Sequence, residues 1–259
     1  MPSVSNIAVG AAMAGAAASK ARHGMNESIT RLSTGVRSMY GGDAAGQSIA
    51  NSIGAKGASF AVAARNAEDG ISFLQAAESV LLELAGLMTR LREIGVAEGN
   101  NDLLSTSDLA ALNAEAAAIA SAFTNVAAQT KFNGLVVVGD ADIAIAVDDS
   151  GNTSTVGQTA AFTSMATDAT KAQTAADTGL SEVGTALGQV AAGMSALKGY
   201  QSVASSTAAN LNAAAARIQD TDYAMETASL TKNTILNQAA MAMVAQANDA
   251  QAAVLSVIQ

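Results

Sequence analysis

Few side chains in this sequence have the types and spacing that chemistry requires. His23 is the only histidine among 259 residues, and cysteine is absent. Catalysis or metal binding would need a base, a nucleophile or further ligands near that imidazole, and the sequence places none there. We therefore predict no catalytic residue, no cofactor and no metal site, and a packing or solvated role for His23.

Two other groups of polar residues have charges that could bind a ligand or a partner. The acidic residues Asp140, Asp142, Asp148 and Asp149 lack the regular ligand spacing and the bidentate Glu of a calcium loop, so they predict a solvated hairpin turn. The second group, Arg90, Arg92 and Glu93, carries charges of both signs on a predicted helix. It is either a solvated helix face or a contact between subunits, and composition alone does not decide between them.

The composition favours thin helices over a compact enzyme. Hydrophobic residues make up 50% of the chain but aromatic residues only 3%, and Pro2 is the only proline. Small side chains allow helices to pack closely. The net charge of -9 disfavours nucleic acid and anionic membranes as partners. Ser, Asn and Gly interrupt the alanine-rich stretches, so no membrane span is predicted, and Lys20 follows the first apolar stretch, unlike a cleaved secretory signal.

The two ends of the chain carry coiled-coil patterns with apolar residues at alternating spacings of three and four. The C-terminal seam is Leu236, Ala240, Met243, Ala247, Ala250, Val254 and Val257. The N-terminal seam is Val4, Ile7, Ala11, Ala14, Ala18, Ala21, Met25, Ile29, Leu32 and Val36, with a stutter between Ala21 and Ile29. The N-terminal segment is basic and the C-terminal one acidic near its start, so we predict that they pair.

Helical patterns also fill most of the middle. A second helix is predicted from an Asp43 N-cap to about Glu98, a third from an Asp108 N-cap, and a fourth from about Lys171. Between them, the runs 135–138 and 143–147 predict a β-hairpin, and 148–168 an exposed loop.

The predicted fold class is all-α: an elongated antiparallel helical bundle or coiled coil with paired N- and C-terminal helices and a small β-hairpin at the tip. The predicted domains are an inner terminal coiled coil, a rod-shaped helical domain, and a short hairpin with an exposed loop. They comprise residues 1–42 with 218–259, residues 43–134 with 171–217, and residues 135–170.

Three groups of motifs resemble bacterial flagellin in sequence and order. The first is RLSTGVR at 31–37 followed by DAAG at 43–46. The second is LREI at 91–94 with QTKFNG at 129–134. The third is ARIQDTDYA at 216–224, ILNQA at 235–239, AQAN at 245–248 and VLS at 254–256. The sequence departs from the family at Gly42, which replaces the first of a common acidic pair, and in its short outer region from about 135 to 170.

The resemblance implies a structural subunit, not an enzyme, that self-assembles through its terminal helices into the bacterial flagellar filament for swimming motility. It implies type III export without a cleaved signal, an export chaperone at the C-terminal helix, hook-junction and cap proteins as partners, and an extracellular location. Two alternatives stay open: a hook-filament junction protein of the same superfamily, and a soluble helical adhesin or binding module.

Three residue-level expectations follow. Assembly is expected to use Val4, Ile7, Met25, Ile29, Leu32, Leu236, Met243, Val254 and Val257. O-linked sugars, if present, are expected on Thr153, Ser154, Thr155, Thr159, Thr163 and Ser164. Arg90, Arg92 and Glu93 resemble part of the family's Toll-like-receptor face, with weak recognition expected because Ala120, Ser121 and Ala122 lack an acidic side chain.

Overall fold

The computed structural model describes residues 2–37, 43–138, 142–157, 162 and 168–258, with side chains described for all of these except 2–8, 254, 255, 257 and 258. Helices dominate the described part, which confirms the predicted all-α class with a small β element. The order is α1 (Pro2–Thr34), α2 (Ala44–Glu98), α3 (Thr106–Gln129), β1 (Lys131–Phe132), β2 (Leu135–Val136), β3 (Ile143–Ala146), β4 (Thr153–Val156), α4 (Ala169–Gln219) and α5 (Tyr223–Ile258).

The chain divides into two compact units. The terminal unit comprises Met1–Gly54 and Asn212–Gln259, and the second unit comprises Ala55–Leu211. The boundaries fall inside α2 and α4, so the terminal unit contains the start of α2 and the end of α4 as well as α1 and α5. The three-part division expected from sequence stays a prediction.

Polar side chains set where the helices begin. Asp43 accepts a hydrogen bond from the Gly46 amide at 2.8 Å, which confirms its predicted role as the N-cap of α2. The prediction for α3 was wrong by three residues. Ser105 is the N-cap of α3, and Asp108 completes a capping box by accepting from the Ser105 amide at 3.0 Å. The hydrogen bonds from Ser105 lower the pKa of Asp108.

The core of the second unit is built on one face of α2. Leu74, Leu81, Leu84, Met88 and Leu91 recur at helical spacings and are fully buried. The packed partners come from the other helices and both hairpins: Ala116, Phe123, Val137, Ile145, Val156, Val183, Val190 and Leu197. Phe123 and Phe162 meet edge to face with centroids 5.4 Å apart.

The strands pair differently from the prediction. The run 135–138 and the run 143–147 were expected to pair with each other, but each belongs to its own hairpin. β2 pairs antiparallel with β1 across Asn133 and Gly134, whose positive φ values of 49° and 83° fit a tight hairpin turn. β3 pairs with β4, so residues 153–156 form a strand where an exposed loop was predicted.

Two glycines let the second hairpin lie close to the helices. A Cβ added to Gly70 of α2 would be 2.1 Å from Ile145 Cδ1, and one added to Gly193 of α4 would be 3.1 Å from Leu74 Cδ1 and 3.4 Å from Val156 Cβ. Ile145 and Val156 are both buried. The hairpin β3–β4 is therefore part of the core of the second unit, a contact that strand patterns alone do not predict.

Candidate assembly surface

The terminal helices α1 and α5 pack against each other in antiparallel orientation. From the N-terminal to the C-terminal side of α1, Met25 contacts Thr234, Ser28 contacts Ser229 and Arg31 approaches Glu226. The residue numbers on α5 therefore fall as those on α1 rise. Arg31 Nη1 and Glu226 Oε2 lie 3.7 Å apart. The predicted pairing of a basic N-terminal segment with an acidic C-terminal one is confirmed at this ion pair.

The inner face of α1 follows the predicted seam only as far as Met25. Ala18 and Ala21 are buried, and the next buried position is Ser28 rather than Ile29, which is exposed. With Ser28 in the seam, the steps from Ala21 to Leu32 are four, three and four, so the predicted stutter does not occur. Ile29 was predicted at this seam position because it is apolar, whereas the packed helix places the hydroxyl of Ser28 in the contact.

The inner face of α5 also differs from the predicted seam. Leu236 and Met243 are 48% and 62% exposed and lie to one side of the contact with α1. The less exposed residues of this stretch are mostly small or polar, with the half-buried Leu230 as the large apolar one: Ser229, Leu230, Asn233, Thr234, Asn237, Ala240, Val244 and Ala247. Val4, Ile7, Val254 and Val257, also expected in the seams, have side chains outside the described residues.

The terminal pair consequently has mostly small and polar groups between its helices, and many of its large apolar groups are on the outside. The outer residues are 48–71% exposed: Val9, Met13, Ile29, Met225, Ile235, Leu236, Met241 and Met243. Single exposed apolar residues are normal on a protein surface, but eight on one helix pair leave considerable apolar area in contact with water. We call these eight residues the outer apolar surface.

The polar contact between α1 and α5 is incompletely hydrogen-bonded. Among the described residues, three buried side-chain atoms have no hydrogen-bond partner: Arg31 Nε, Thr221 Oγ1 and Asn237 Oδ1. Arg31 and Asn237 lie on α1 and α5, whereas Thr221 lies in the connection that precedes α5. Because a buried polar atom without a partner costs about 1–3 kcal/mol, this contact contributes less stability than an apolar seam of the same length.

Arg37 connects the ends of several helices in the terminal unit. α1 ends at Thr34, and Gly35 follows with φ of 70°, a conformation that glycine adopts without strain. The Arg37 guanidinium donates to the Ile218 carbonyl through Nε at 3.3 Å and Nη2 at 3.1 Å, and its Nη2 lies 3.0 Å from Asp43 Oδ2. Asp222 then caps α5 by accepting from the amides of Ala224 and Met225.

The charged cluster on α2 lies in the second unit and is fully paired. Arg90 donates to Glu93 at 2.8 Å and to Glu115 of α3 at 2.6 Å, and Arg92 donates to Asp177 of α4 at 2.7 Å. The hydrogen bond that Arg90 donates to Glu93, followed by those that it donates to Glu115, raises the pKa of Arg90. All of these side chains are 41–60% exposed, so the pairs add little stability but leave charged groups at the surface.

The other candidate sites contain no reactive arrangement in the part of the chain that the structure describes. His23 is exposed, and no group of three metal-binding side chains is found there. Asp148 accepts from the amides of Ser150 and Asn152 in the turn between β3 and β4, as the predicted turn role requires. Asp140 lies outside the described residues.

The expected sugar sites lie partly in β4, and one helix has the length of a membrane span. Of the expected sugar sites, Thr153, Ser154 and Thr155 lie in β4, with Thr153 and Thr155 exposed, whereas Thr159, Thr163 and Ser164 are not among the described residues. One described helix, α2, is long and apolar enough to cross a membrane by length and composition, and 33% of its most apolar window is buried. Its buried leucines form the core of the second unit.

Long helices, with the two ends of the chain paired along α1 and α5 and exposed apolar residues on that pair, define an all-α helical protein. Comparison with known proteins identifies the family. The model of the bacterial flagellin N-terminal helical region matches residues 5–140, and that of the bacterial flagellin C-terminal helical region matches residues 169–258. This chain belongs to the bacterial flagellin family.

Named relatives support this assignment along most of the chain. The flagellin of Halalkalibacterium halodurans is 32% identical over 253 residues, which cover 90% of this chain and 91% of the relative. The flagellin of Bacillus subtilis is 30% identical over 280 residues, 90% of this chain and 92% of the relative. The flagellar filament 33 kDa core protein of Treponema phagedenis is 29% identical over 268 residues, 91% of this chain and 92% of the relative.

The function follows from the family. The protein is a structural subunit of the bacterial flagellar filament, an extracellular homopolymer used for motility, and it is not an enzyme. The hook-filament junction protein and the soluble binding module, which the sequence left open, are not favoured.

Proposed function

We propose that the outer apolar surface of α1 and α5 is the surface through which copies of this chain join in the filament. The observation that carries the proposal is its inverted arrangement, with Ser28, Asn233 and Asn237 between the helices and large apolar side chains outside. In one chain these apolar groups contact water. Neighbouring copies would remove them from water, at about 25 cal/mol per Å² of apolar surface.

The α5 part of this surface has the spacing of a second helical seam. Leu236 and Met243 are seven residues apart, and Met225 precedes Leu236 by eleven, so the three lie along one side of the helix. This side is distinct from the face that contacts α1. The sequence therefore identified a coiled-coil seam in α5 whose partner we assign to another copy. Val4, Ile7, Val254 and Val257 continue the proposed contact by their sequence positions.

Leu236→Asp tests the proposal. The monomer should tolerate this change, since the side chain is 48% exposed. A filament contact would bury the carboxylate without a partner, at a cost of several kcal/mol unless it is protonated. Seeded growth followed by light scattering and electron microscopy should show no filaments, while circular dichroism of the monomer is unchanged. Gln238→Glu, which adds a carboxylate at an exposed position off this side of α5, should still assemble.

Normal filaments from Leu236→Asp would exclude this side of α5 as a subunit contact. Failure of both variants would indicate that added negative charge, and not the position, prevents growth. A monomer that loses helical structure in Leu236→Asp would show that the residue supports the single chain, which also contradicts the proposal.

We further propose that both ends of the chain become fully ordered only on assembly. The alanine-rich inner face buries little apolar area, and the unpartnered Arg31 Nε and Asn237 Oδ1 weaken it further. Ordering each residue costs about 1–2 kcal/mol of backbone entropy, which such a contact alone does not offset. Hydrogen exchange should be fast at residues 3–36 and 225–259 in the monomer and slow in filaments, with 45–215 protected in both. Slow exchange at both ends of a proven monomer would contradict this.

Export and the ends of the filament involve partners at the same helices. We infer that the chain is secreted unfolded through the flagellar type III apparatus, with an export chaperone covering the apolar side of α5 until release. We assign the binding sites of hook-junction and cap proteins to the terminal helices of the subunits at the two ends of the filament, where no further copy covers them. Pull-down of a chaperone by the wild type and not by a variant lacking 225–259 would support the chaperone site.

The charged cluster on α2 and α3 also bears on receptor recognition. The expected weak binding to a Toll-like receptor rested on the missing acidic side chain at Ala120, Ser121 and Ala122, but Glu115 of α3 supplies one beside Arg90. We therefore propose that Arg90, Arg92, Glu93 and Glu115 form the receptor face, testable in a reporter-cell assay of monomer potency with Glu115→Gln.

For O-linked sugars we favour the exposed Thr153 and Thr155 of β4 over Ser154, which is half-buried. The proposed sites at Thr159, Thr163 and Ser164 rest on sequence alone. Mass measurement of peptides from native filaments decides which positions, if any, carry sugar.

A further inference from the structure

The alanine-rich faces of α1 and α5 do not by themselves define how the two helices align along their length. Ala11, Ala14, Ala18 and Ala21 line the inner face of α1, and Ala240 and Ala247 lie on the facing side of α5. Sliding one helix by seven residues would again place alanine against alanine. The correct register must therefore come from residues outside the alanine stretch.

A side-chain pair in the middle of the contact has the shape to set this register. A Cβ added to Gly24 of α1 would lie 2.6 Å from Asn233 Nδ2, 3.0 Å from its Cγ and 3.2 Å from its Oδ1. The amide of Asn233 therefore occupies the space that any other residue at position 24 would fill. Gly10 and Gly15 of the same helix have no atom within 4 Å of such a Cβ, so only Gly24 is filled from the partner helix.

We propose that Gly24 and Asn233 are the specificity-determining pair that fixes the antiparallel register of α1 and α5, and so the form of the subunit that assembles. The proposal rests on the assembly of the terminal helices and adds the residues that select their alignment.

Neighbouring polar contacts agree with the same register. Ser28 Oγ lies 3.5 Å from Ser229 Oγ, and Arg31 approaches Glu226, each pair having the same sum of residue numbers as Gly24 with Asn233. A slip of seven residues would face Asn233 with Arg31 or Ala17, and Ser28 with Leu236 or Asp222. Neither of these slipped alignments gives the Asn233 amide a glycine. Buried polar residues in coiled coils are known to select register in this way at a cost in stability.

The test uses glycine-to-alanine substitutions, for which helix propensity and the proposed steric clash predict opposite effects on filament growth. Alanine is a better helix former than glycine, so helix propensity alone predicts that Gly24→Ala, Gly10→Ala and Gly15→Ala all support assembly. The register proposal predicts that Gly24→Ala alone reduces seeded filament growth, about tenfold or more in rate. Asn233→Ala added to Gly24→Ala removes the displaced amide and should restore most of the growth.

Register is read directly with an engineered disulfide, since the chain has no cysteine of its own. In a chain with Gly24 and Asn233 unchanged, Ser28→Cys and Ser229→Cys should form a disulfide within each subunit of the filament, because the two Oγ atoms are 3.5 Å apart. Adding Gly24→Ala should lower the yield of this cross-link in whatever assembles, and adding Asn233→Ala as well should recover it.

Unchanged growth and cross-linking in Gly24→Ala would overturn the proposal. A loss in Gly24→Ala that Asn233→Ala does not repair would also overturn it, because the steric relation between the two side chains is what it asserts. Leu236→Asp could assemble normally while Gly24→Ala fails to assemble and Asn233→Ala restores growth. That result would contradict the proposed contact between copies and would support the register pair.

Discussion

Replacement of Leu84 by alanine tests whether the buried face of α2 holds the second unit together. Leu84 is fully buried, whereas Leu82, two residues earlier on the same helix, is 58% exposed. The two substitutions have the same chemistry and nearly the same effect on helix propensity. The difference between them therefore isolates the packing of one side chain in the core.

The magnitude follows from the burial. Leu→Ala removes three carbon atoms, and at about 0.8 kcal/mol for each buried carbon the lost transfer free energy is about 2.4 kcal/mol. The cavity left among tightly packed neighbours raises the cost to about 3–5 kcal/mol. Leu82→Ala should change the free energy of unfolding by no more than about 0.5 kcal/mol.

Urea unfolding of the full-length monomer, followed by circular dichroism at 222 nm, provides the measurement, with a parallel thermal melt. At about 2–4 °C for each kcal/mol, Leu84→Ala should lower Tm by about 6–20 °C. Equal losses of stability in the two variants, or a loss below 1 kcal/mol for Leu84→Ala, would refute the assignment of this face of α2 to the core.

Three further predictions concern capping, close packing and pH. Asp222→Ala should lower the stability of the filament by about 1 kcal/mol per subunit through loss of the α5 cap, seen as a lower depolymerisation temperature, with Asp222→Asn close to wild type. Gly95→Ala should destabilise the monomer, since its Cβ would be 2.3 Å from the backbone nitrogen of Gln173, whereas Gly86→Ala, with nothing within 4 Å, should stabilise it by up to about 1 kcal/mol in a thermal melt. Hydrogen bonding by the Asn152 side chain lowers the pKa of Asp148, so its contribution to stability is present above about pH 4 and is lost as the pH falls through the lowered pKa. The Tm difference between wild type and Asp148→Asn should therefore shrink on acidification from pH 6 to pH 2, and a constant difference would contradict this.

The sequence predicted the helices well because helical signals are local. Five helices, the Asp43 cap of α2 and the pairing of the two ends were all readable from apolar spacing, cap residues and charge. The α3 cap was misassigned because Asp108 is itself a good N-cap residue, and only the hydrogen bonds show that Ser105 begins the helix. Local competition of this kind shifts a helix boundary without changing the fold.

Strand pairing and the orientation of the terminal helices were decided by tertiary structure. The runs 135–138 and 143–147 look equally suited to pair with each other, but the Asn133–Gly134 turn returns β2 to β1 and leaves β3 for β4. In α1, an apolar Ile29 and a polar Ser28 compete for the seam, and helix geometry selects the serine.

What the sequence determined by itself was the identity of the elements, the family motifs and the presence of apolar seams at both ends. It did not determine which face of α5 meets α1, since Leu236 and Met243 fit a coiled-coil pattern equally well for either partner. Apolar periodicity predicts that one side of a helix is buried, but it does not identify the partner that covers it. Only the three-dimensional packing, with Asn233 fitted against Gly24, assigns the polar face to the chain's own helix and leaves Leu236 and Met243 exposed.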